Sequence, residues 1–205
     1  VLERGLAGRT EREVALDLEF TMRRAGAQSV SFPPIVASGA HGALPHAQPR
    51  DVVIESGVLV TIDWGAELDG YCSDCTRTFA TGEIGETERE VYELVLAAEE
   101  AALAAARPGI SSRELDGVAR DVIAAAGHGD RFGHGLGHGV GIEVHEGPRL
   151  SQRTDEELRQ GQVVTIEPGI YLPGVCGVRI EDLVVLKPGG PELLTGIPKQ
   201  LQTIV

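Results

Sequence analysis

Cysteine, aromatic residues and positive charge are all scarce in this chain of 205 residues. Three cysteines are too few for a disulfide-stapled scaffold and fit a reducing compartment, so we expect a cytoplasmic protein. Lysine and arginine total 18 against 31 acidic residues, and the net charge of −13 argues against nucleic acid or an anionic membrane as a partner. The longest apolar runs are interrupted by charged residues, so no membrane-spanning segment is predicted.

Two of the cysteines, Cys72 and Cys75, have the spacing of a zinc knuckle. The chain has no second pair to complete four ligands, and residues 72 and 75 would point to opposite faces of a strand. We therefore favour small core residues here over a metal or redox motif.

Helix signals occur at three places. Thr10 opens a capping box before a helix that ends at Gly26, and Thr87 opens a second box before a helix that reaches Ala106. A third helix is predicted over residues 113–126. The predicted strands are 29–36 (interrupted by two prolines), 51–55, 58–64, 71–78, 142–145, 163–167 and 178–185. Helices followed by hairpins, without strict alternation, indicate an α+β fold with a mainly antiparallel sheet.

The two halves of the chain carry a weak duplication. Gly8 and Gly109 each open a helix that ends at a glycine 18 residues later, and residues 57–65 (GVLVTIDWG) match residues 161–169 (GQVVTIEPG). His46-x-x-Pro49 is echoed by His145-x-x-Pro148. We therefore predict one domain over residues 1–205, built from halves of approximately 8–85 and 109–185, with a single site at the pseudo-twofold axis between them.

The most unusual stretch is residues 133–148, GHGLGHGVGIEVHEGP, which interleaves His134, His138 and His145 with glycines. This much glycine excludes a stable helix, so we expect a tightly turning loop that runs into the strand 142–145. Glycines allow close backbone approach, and neutral imidazoles are common metal ligands and proton shuttles. His41 has no counterpart in the other half, and we expect it to be a surface residue.

Two acidic pairs flank this stretch. Directly opposite residues in an antiparallel hairpin have numbers with a constant sum, so a turn centred between Leu68 and Asp69 would place Asp63 opposite Asp74. A turn centred on Gly174 would likewise place Glu167 opposite Glu181. Facing carboxylates repel unless a cation lies between them, and oxygen ligands with one imidazole suit a pair of divalent cations; Mn²⁺, Co²⁺, Fe²⁺ and Zn²⁺ all stay open on ligand type.

These residues together resemble the pita-bread metallopeptidases, over nearly the whole chain. The resemblance implies a curved, mainly antiparallel sheet with flanking helices, and two metal ions, with Mn²⁺ the expected metal. The implied metal ligands are Asp63, Asp74, His138, Glu167 and Glu181. The implied catalytic residues are His46 and His145 (oxyanion and substrate orientation), His134 (the proline pocket), Glu167 (proton acceptor from the attacking water) and Arg179 (a support for neighbouring carboxylates).

Within that family, His134 and Arg179 make the sequence more similar to the Xaa-Pro branch, prolidase and aminopeptidase P, than to methionine aminopeptidase. The implied substrate is a proline-containing dipeptide or longer peptide. Methionine aminopeptidase-like activity and a non-catalytic peptide-binding module are the alternatives. Family members usually carry an N-terminal domain that helps to form a homodimer; this chain begins at Val1, and we expect it to be a catalytic domain without that upstream part.

Overall fold

The computed structural model describes residues 1–205. The α-helices are α1 (Glu11–Arg24), α2 (Glu86–Ala105) and α3 (Ser112–Ala125). The strands are β1 (Ser29–Val30), β2 (Ile35–Ser38), β3 (Leu59–Trp64), β4 (Ala66–Leu68), β5 (Tyr71–Cys72), β6 (Cys75–Ala80), β7 (Gly137–Gly139), β8 (Glu146–Leu150), β9 (Val163–Ile166), β10 (Gly169–Leu172), β11 (Cys176–Arg179), β12 (Asp182–Lys187) and β13 (Gly190–Leu193).

All pairs of neighbouring strands are antiparallel, as the α+β prediction requires. The first half contributes a sheet of order β2-β3-β6 and the second a sheet of order β13-β12-β9-β7-β8. Two small sheets, β1-β4-β5 and β10-β11, extend these hairpins. None of the helices combines the length and apolar character that crossing a bilayer requires.

The internal repeat is visible in the contacts that begin α1 and α3. Each helix has 14 residues, and each is preceded by an isolated antiparallel bridge to a later segment of its own half: Thr10 to Val53, and Ser111 to Glu157. Equivalent positions in the two halves therefore form equivalent backbone contacts.

Side-chain caps begin two of the three helices. Thr10 and Glu13 form both hydrogen bonds of the predicted capping box, and Ser111 accepts one from the amide of Glu114. The box predicted at Thr87 is wrong: α2 begins one residue earlier, after Gly85, and has no side-chain cap. Thr87 lies inside the first turn and not at the N-cap position.

Two hydrophobic clusters hold the halves together. A large cluster of 26 residues packs α2 and α3 against the second-half strands, and a smaller cluster of 8 residues packs α1 against β2, β3 and β6. Leu59 and Ala80, on β3 and β6, belong to the large cluster and so join the first-half sheet to the second-half core. Of the cysteines, which are all free, Cys75 and Cys176 are buried and Cys72 is half-buried.

Four predicted strands differ in the structure. The strand predicted over 178–185 is interrupted at Ile180 and Glu181, between β11 and β12. Residues 51–55 form only the bridge at Val53, and the strand over 71–78 is interrupted at Ser73 and Asp74. Residues 142–145 are bent, not extended, and the strand begins at residue 146. The bend is stabilised locally, because the carboxylate of Glu146 accepts a hydrogen bond from the amide of Glu143 at 3.2 Å, and this bond competes with strand pairing.

Candidate metal centre and substrate cavity

The five side chains predicted as metal ligands lie together at one place between the two halves. The carboxylate oxygens of Asp63, Asp74 and Glu181 all lie within 4.8 Å of one another. The Nε2 atom of His138 lies 3.6 Å from Asp74 Oδ2 and 3.2 Å from Glu167 Oε1. The four carboxylates occupy positions at or beside the ends of strands β3, β6, β9 and β12, and His138 is the middle residue of β7.

The second-half hairpin has the predicted register. Ile166 pairs with Asp182 on one side of the acidic pair, and Gly169 pairs with Arg179 on the other. Glu167 and Glu181 therefore occupy opposite positions in the gap between the paired segments. Their amides find partners elsewhere: Glu181 N–H donates to Thr76 O at 3.1 Å and Glu167 N–H to Leu136 O at 2.8 Å.

The register predicted for the first-half hairpin is wrong. Asp63 pairs with Thr76, not with Asp74, because the turn is centred between Asp69 and Gly70. Both turn residues have positive φ, 51° and 80°, as a type I′ turn requires. Asp63 and Asp74 are therefore diagonal neighbours; a displacement of two residues keeps both side chains on one face of the sheet.

Residues of one half support the carboxylates of the other. Arg179 donates from Nη2 to Asp63 Oδ2 at 2.7 Å and from Nε to the Thr76 hydroxyl at 3.0 Å. The Thr76 hydroxyl in turn donates to Glu181 Oε2 at 2.7 Å. All of these side chains are buried or nearly so. These bonds fix the orientation of one carboxylate in each half.

The four carboxylates have very different proton affinities. Burial, together with the charges of Asp63 and Glu167, raises the pKa of Asp74 to about 9. Burial and the neighbouring carboxylates also raise the pKa values of Asp63 and Glu181. Burial acts in the same direction on Glu167, but the hydrogen bond from His138 and the charges of His134, His138 and Arg179 together outweigh it and lower the pKa to about 2. Several acidic groups this close together are unfavourable as bare anions, and a cation among them would relieve the repulsion.

The free atoms of this cluster fit a divalent cation. Asp63 Oδ1 and Glu181 Oε1 are buried and have no hydrogen-bond partner, which is costly for a carboxylate unless something else binds it. His138 Nδ1 lies 3.0 Å from Gly139 O and can donate to it, so Nε2, which donates to Glu167 while it is protonated, has its lone pair directed at the same carboxylates once that proton leaves. Oxygen ligands and one neutral imidazole form a donor set suited to Mn²⁺, Fe²⁺, Co²⁺ or Zn²⁺.

A cavity of about 760 Å³ opens above the cluster. His46, His134 and His145 line it together with the predicted ligands. His46 and His145 are exposed to solvent, and the ring of His145 lies 4.3 Å from that of His138. His134 is half-buried, and burial lowers its pKa. The structure thus brings all the predicted site residues to one cavity.

Tyr171 is a site residue that the sequence analysis missed. Its hydroxyl lies 2.8 Å from His134 Nε2 and accepts a hydrogen bond from Arg179 Nη1 at 3.0 Å. It thereby joins the histidine of the cavity wall to the arginine that holds Asp63. The sequence could have indicated this residue, because Tyr171 follows Glu167 by four residues along extended chain and an even spacing places both side chains on the same face of the sheet.

His41 was also interpreted wrongly. Its side chain is only 8% exposed, and its Nδ1 lies 3.0 Å from the buried carboxylate of Glu11. The contact joins residues 30 positions apart, so no local pattern in the sequence indicates it.

Two arginines of the cavity wall, Arg149 and Arg153, were not predicted either. Both line the cavity and are exposed, and neither guanidinium has a carboxylate within 4.0 Å. The chain as a whole has a net charge of −13, and these two arginines add positive charge to a cavity whose floor is acidic.

Comparison with known proteins gives a consistent result. Residues 1–188 match metallopeptidase family M24. The chain is 49% identical over 194 residues to the Xaa-Pro dipeptidase of Pyrococcus horikoshii, a match that covers 95% of this chain and 55% of that protein. The chain therefore spans a little over half the length of the curated relatives that it matches.

Solved structures agree. The X-Pro aminopeptidase from Thermotoga maritima superposes with a TM-score of 0.96 at 48% identity, covering 99% of this chain and 58% of that one. The prolidase from Pyrococcus furiosus gives a TM-score of 0.93 at 49% identity, covering 94% and 57%. The expected pita-bread fold and the expected resemblance to the Xaa-Pro branch are confirmed. The chain belongs to metallopeptidase family M24.

Proposed function

We propose that this chain is the catalytic domain of a metal-dependent exopeptidase that hydrolyses the bond between an N-terminal residue and proline. The observation that carries the proposal is the buried cluster of Asp63, Asp74, His138, Glu167 and Glu181, with its two unpartnered oxygens, at the floor of a cavity lined by three further histidines. The names of the relatives, Xaa-Pro dipeptidase and prolidase, support the choice of substrate.

The same five residues would hold two divalent cations, for which we propose Mn²⁺, with Co²⁺, Zn²⁺ or Fe²⁺ as alternatives. Such ions supply a nucleophile at neutral pH, because they lower the pKa of a water molecule towards ~7. We assign to Glu167 the role of accepting the proton of the attacking water. Arg179 holds Asp63 in place through its 2.7 Å hydrogen bond.

The histidines of the cavity divide into two kinds. His46 and His145 are exposed and have space around their rings, so they suit contacts with the substrate carbonyl and its developing oxyanion. His134 is held on both sides, by Gly135 O and by Tyr171. A fixed ring suits the wall of a pocket that receives a rigid proline.

Arg149 and Arg153 favour a short substrate. Unpaired guanidinium groups bind carboxylates well, and a dipeptide presents its C-terminal carboxylate only one residue beyond the cleaved bond. We therefore propose Xaa-Pro dipeptides as the better substrates and longer Xaa-Pro peptides as the poorer ones.

Hydrolysis assays with the full-length protein and added Mn²⁺ or Co²⁺ test this proposal. We expect cleavage of Ala-Pro, slower cleavage of Ala-Pro-amide and Ala-Pro-Xaa, and none of Met-Ala-Xaa. Cleavage of Met-Ala-Xaa alone would favour a methionine aminopeptidase-like enzyme. No cleavage of any of them by protein with metal bound would favour a non-catalytic binding module.

Three further parts of the proposal concern the whole protein. The three free cysteines support a cytoplasmic location. The excess of acidic residues supports peptides, and not nucleic acid, as partners. We propose that the full-length protein is a homodimer, which sedimentation tests. We also propose that residues 1–205 form a single catalytic domain with halves of approximately 8–85 and 109–185, which the resistance of residues 1–205 to proteolysis tests.

A further inference from the structure

Glu11, in the first turn of α1, is a buried carboxylate outside the metal centre. Its side chain is 0% exposed, although an acidic residue at a helix start is usually in solvent, as Glu13 is. Burial would raise its pKa, but hydrogen bonds from Arg50 and Ser38 lower the pKa to about 2, so the group is ionised at neutral pH. An ionised carboxylate without solvent needs many donors.

The hydrogen bonds of the Glu11 side chain are all with one segment, residues 38–50. The amide and hydroxyl of Ser38 donate to Oε1 at 2.9 and 2.8 Å. His41 Nδ1 lies 3.0 Å from Oε2. The amide, Nε and Nη2 of Arg50 donate at 3.1, 3.1 and 3.2 Å. The carboxylate therefore binds both ends of the segment, and closes it into a loop that we call the His46 loop (residues 38–50).

His46 lies in the part of this loop that reaches the cavity. Next to it, Pro45 O accepts a hydrogen bond from Arg179 Nη1 at 3.2 Å. Gly42 packs against the backbone of Gly177, where an added Cβ would lie 3.1 Å from the Gly177 nitrogen. The ring of His46 itself has no hydrogen bond in the protein, so its position depends on how firmly the loop is held.

In the second half, a buried carboxylate likewise holds the segment that carries His134. Asp116, on α3, accepts hydrogen bonds from Arg120 and from the amide of Leu136 at 2.9 Å. Arg120 donates to Phe132 O and His134 O at 2.9 and 2.8 Å. In both halves, a buried carboxylate on the leading helix holds the segment that carries a histidine of the cavity.

We propose that Glu11 is a positioning residue for His46: it holds the His46 loop closed and so fixes the ring at the distance at which it contacts the substrate. The inference rests on the role proposed above for His46. It extends the site to a residue on α1 that does not itself line the cavity.

A double-mutant cycle in the full-length, metal-loaded protein tests the proposal. Glu11→Gln keeps the size of the side chain but removes its charge, and we expect kcat for Ala-Pro to fall about 10- to 100-fold with KM changed by less than about threefold. In a His46→Ala background the same substitution should lower kcat by less than about twofold, because its target is already missing. Glu19→Gln, at a half-buried position of α1 whose carboxylate pairs with Arg23 on the same helix, is the matched control and should leave kcat unchanged.

Hydrogen exchange provides a readout that does not depend on activity. Amides of residues 39–49 should exchange faster in Glu11→Gln than in the wild type or in Glu19→Gln, while those of residues 132–136, held by Asp116, should not change. Arg50→Met removes two of the donors and should give a smaller effect of the same pattern if Glu11→Gln does not fold.

If Glu11→Gln lowers kcat by the same factor with and without His46→Ala, the proposal is overturned, because Glu11 would then act on the fold and not through His46. Unchanged exchange of residues 39–49 in both variants would overturn it as well. If the wild type cleaves no Xaa-Pro peptide, the proposed function fails, whereas exchange confined to the His46 loop would still show that Glu11 closes it.

Discussion

The hairpin that carries Asp63 and Asp74 and the hairpin that carries Glu167 and Glu181 bring carboxylates together by different geometries. In the second half the two acids are opposite one another across a regular register. In the first half a two-residue Asp-Gly turn displaces them into diagonal positions. Because the displacement is two residues, both acids still point to the same face, and the site is complete despite the different register.

The support of the carboxylates also differs between the halves. Asp63 is held by a charged donor, Arg179, whereas Glu181 is held by a neutral one, the hydroxyl of Thr76. In each case the donor belongs to the other half. Neither half therefore orients both of its acids alone, and the strength of the two supports should be unequal because hydrogen bonds between charged groups are stronger.

Removing the charged support should have the largest effect on stability. Arg179→Met would leave Asp63 as a buried charge without its partner, and we expect a loss of about 3–5 kcal/mol in the free energy of unfolding of the metal-free protein. Urea denaturation measures it. Arg113→Met is the control, because its ion pair with Asp155 is half exposed and should contribute less than about 1 kcal/mol. Equal losses for the two variants would contradict the bracing role of Arg179.

Asp74 tests the diagonal acid directly. Asp74→Asn should abolish the response of thermal stability to added Mn²⁺, a response of about 2.7 kcal/mol when the metal is present at 100 times its Kd. Asp69→Asn is the matched control, because it changes the same group in the exposed turn of the same hairpin, at a φ of 51° that asparagine accepts. An unchanged response of Asp74→Asn to the metal would contradict its assignment as a ligand.

The sequence predicts the parts of this molecule that depend on local patterns. Caps, terminal glycines and the repeated GVLVTIDWG and GQVVTIEPG segments indicate the helices, the strands and the duplication. The metal-ligand candidates follow from residue type and face, which tolerate a register error of two residues. The predicted register of the first-half hairpin is wrong because register depends on which two residues form the turn. The sequence analysis centred the turn between Leu68 and Asp69, one residue before its true centre between Asp69 and Gly70.

Contacts between distant segments could not be predicted in this way. Glu11 meets Ser38 and Arg50 across 27 and 39 residues, and Tyr171 meets His134 across 37. Each of these contacts joins segments that are far apart in the sequence and is defined only by the tertiary structure. Their burial, and so the energetic importance of a single carboxylate or hydroxyl, is a property of the tertiary structure that composition and periodicity do not contain.

The neutral support should have a smaller effect than the charged one. Thr76→Val keeps the shape of the side chain but leaves Glu181 Oε2 and Arg179 Nε without their shared partner, and we expect a loss of about 1–3 kcal/mol in the free energy of unfolding. Thr76→Ser restores the hydroxyl and should recover most of the loss. A Ser variant as unstable as the Val variant would mean that the methyl group, not the hydrogen bond, is what matters.

The helix caps give the finest comparison of the two halves. Thr10 forms two capping hydrogen bonds with Glu13, and Ser111 forms one with Glu114. Removing both side chains of the box with the double substitution Thr10→Ala, Glu13→Ala should therefore cost more, about 1–2 kcal/mol, than Ser111→Ala, about 0.5–1 kcal/mol, in chemical denaturation. Thr87→Ala should change stability by less than about 0.5 kcal/mol, because Thr87 lies within the first turn of α2 and caps nothing. Equal costs for the double substitution and for Ser111→Ala would mean that the bond from the Thr10 amide to the Glu13 carboxylate adds no stability, and the two helix starts would then be equivalent.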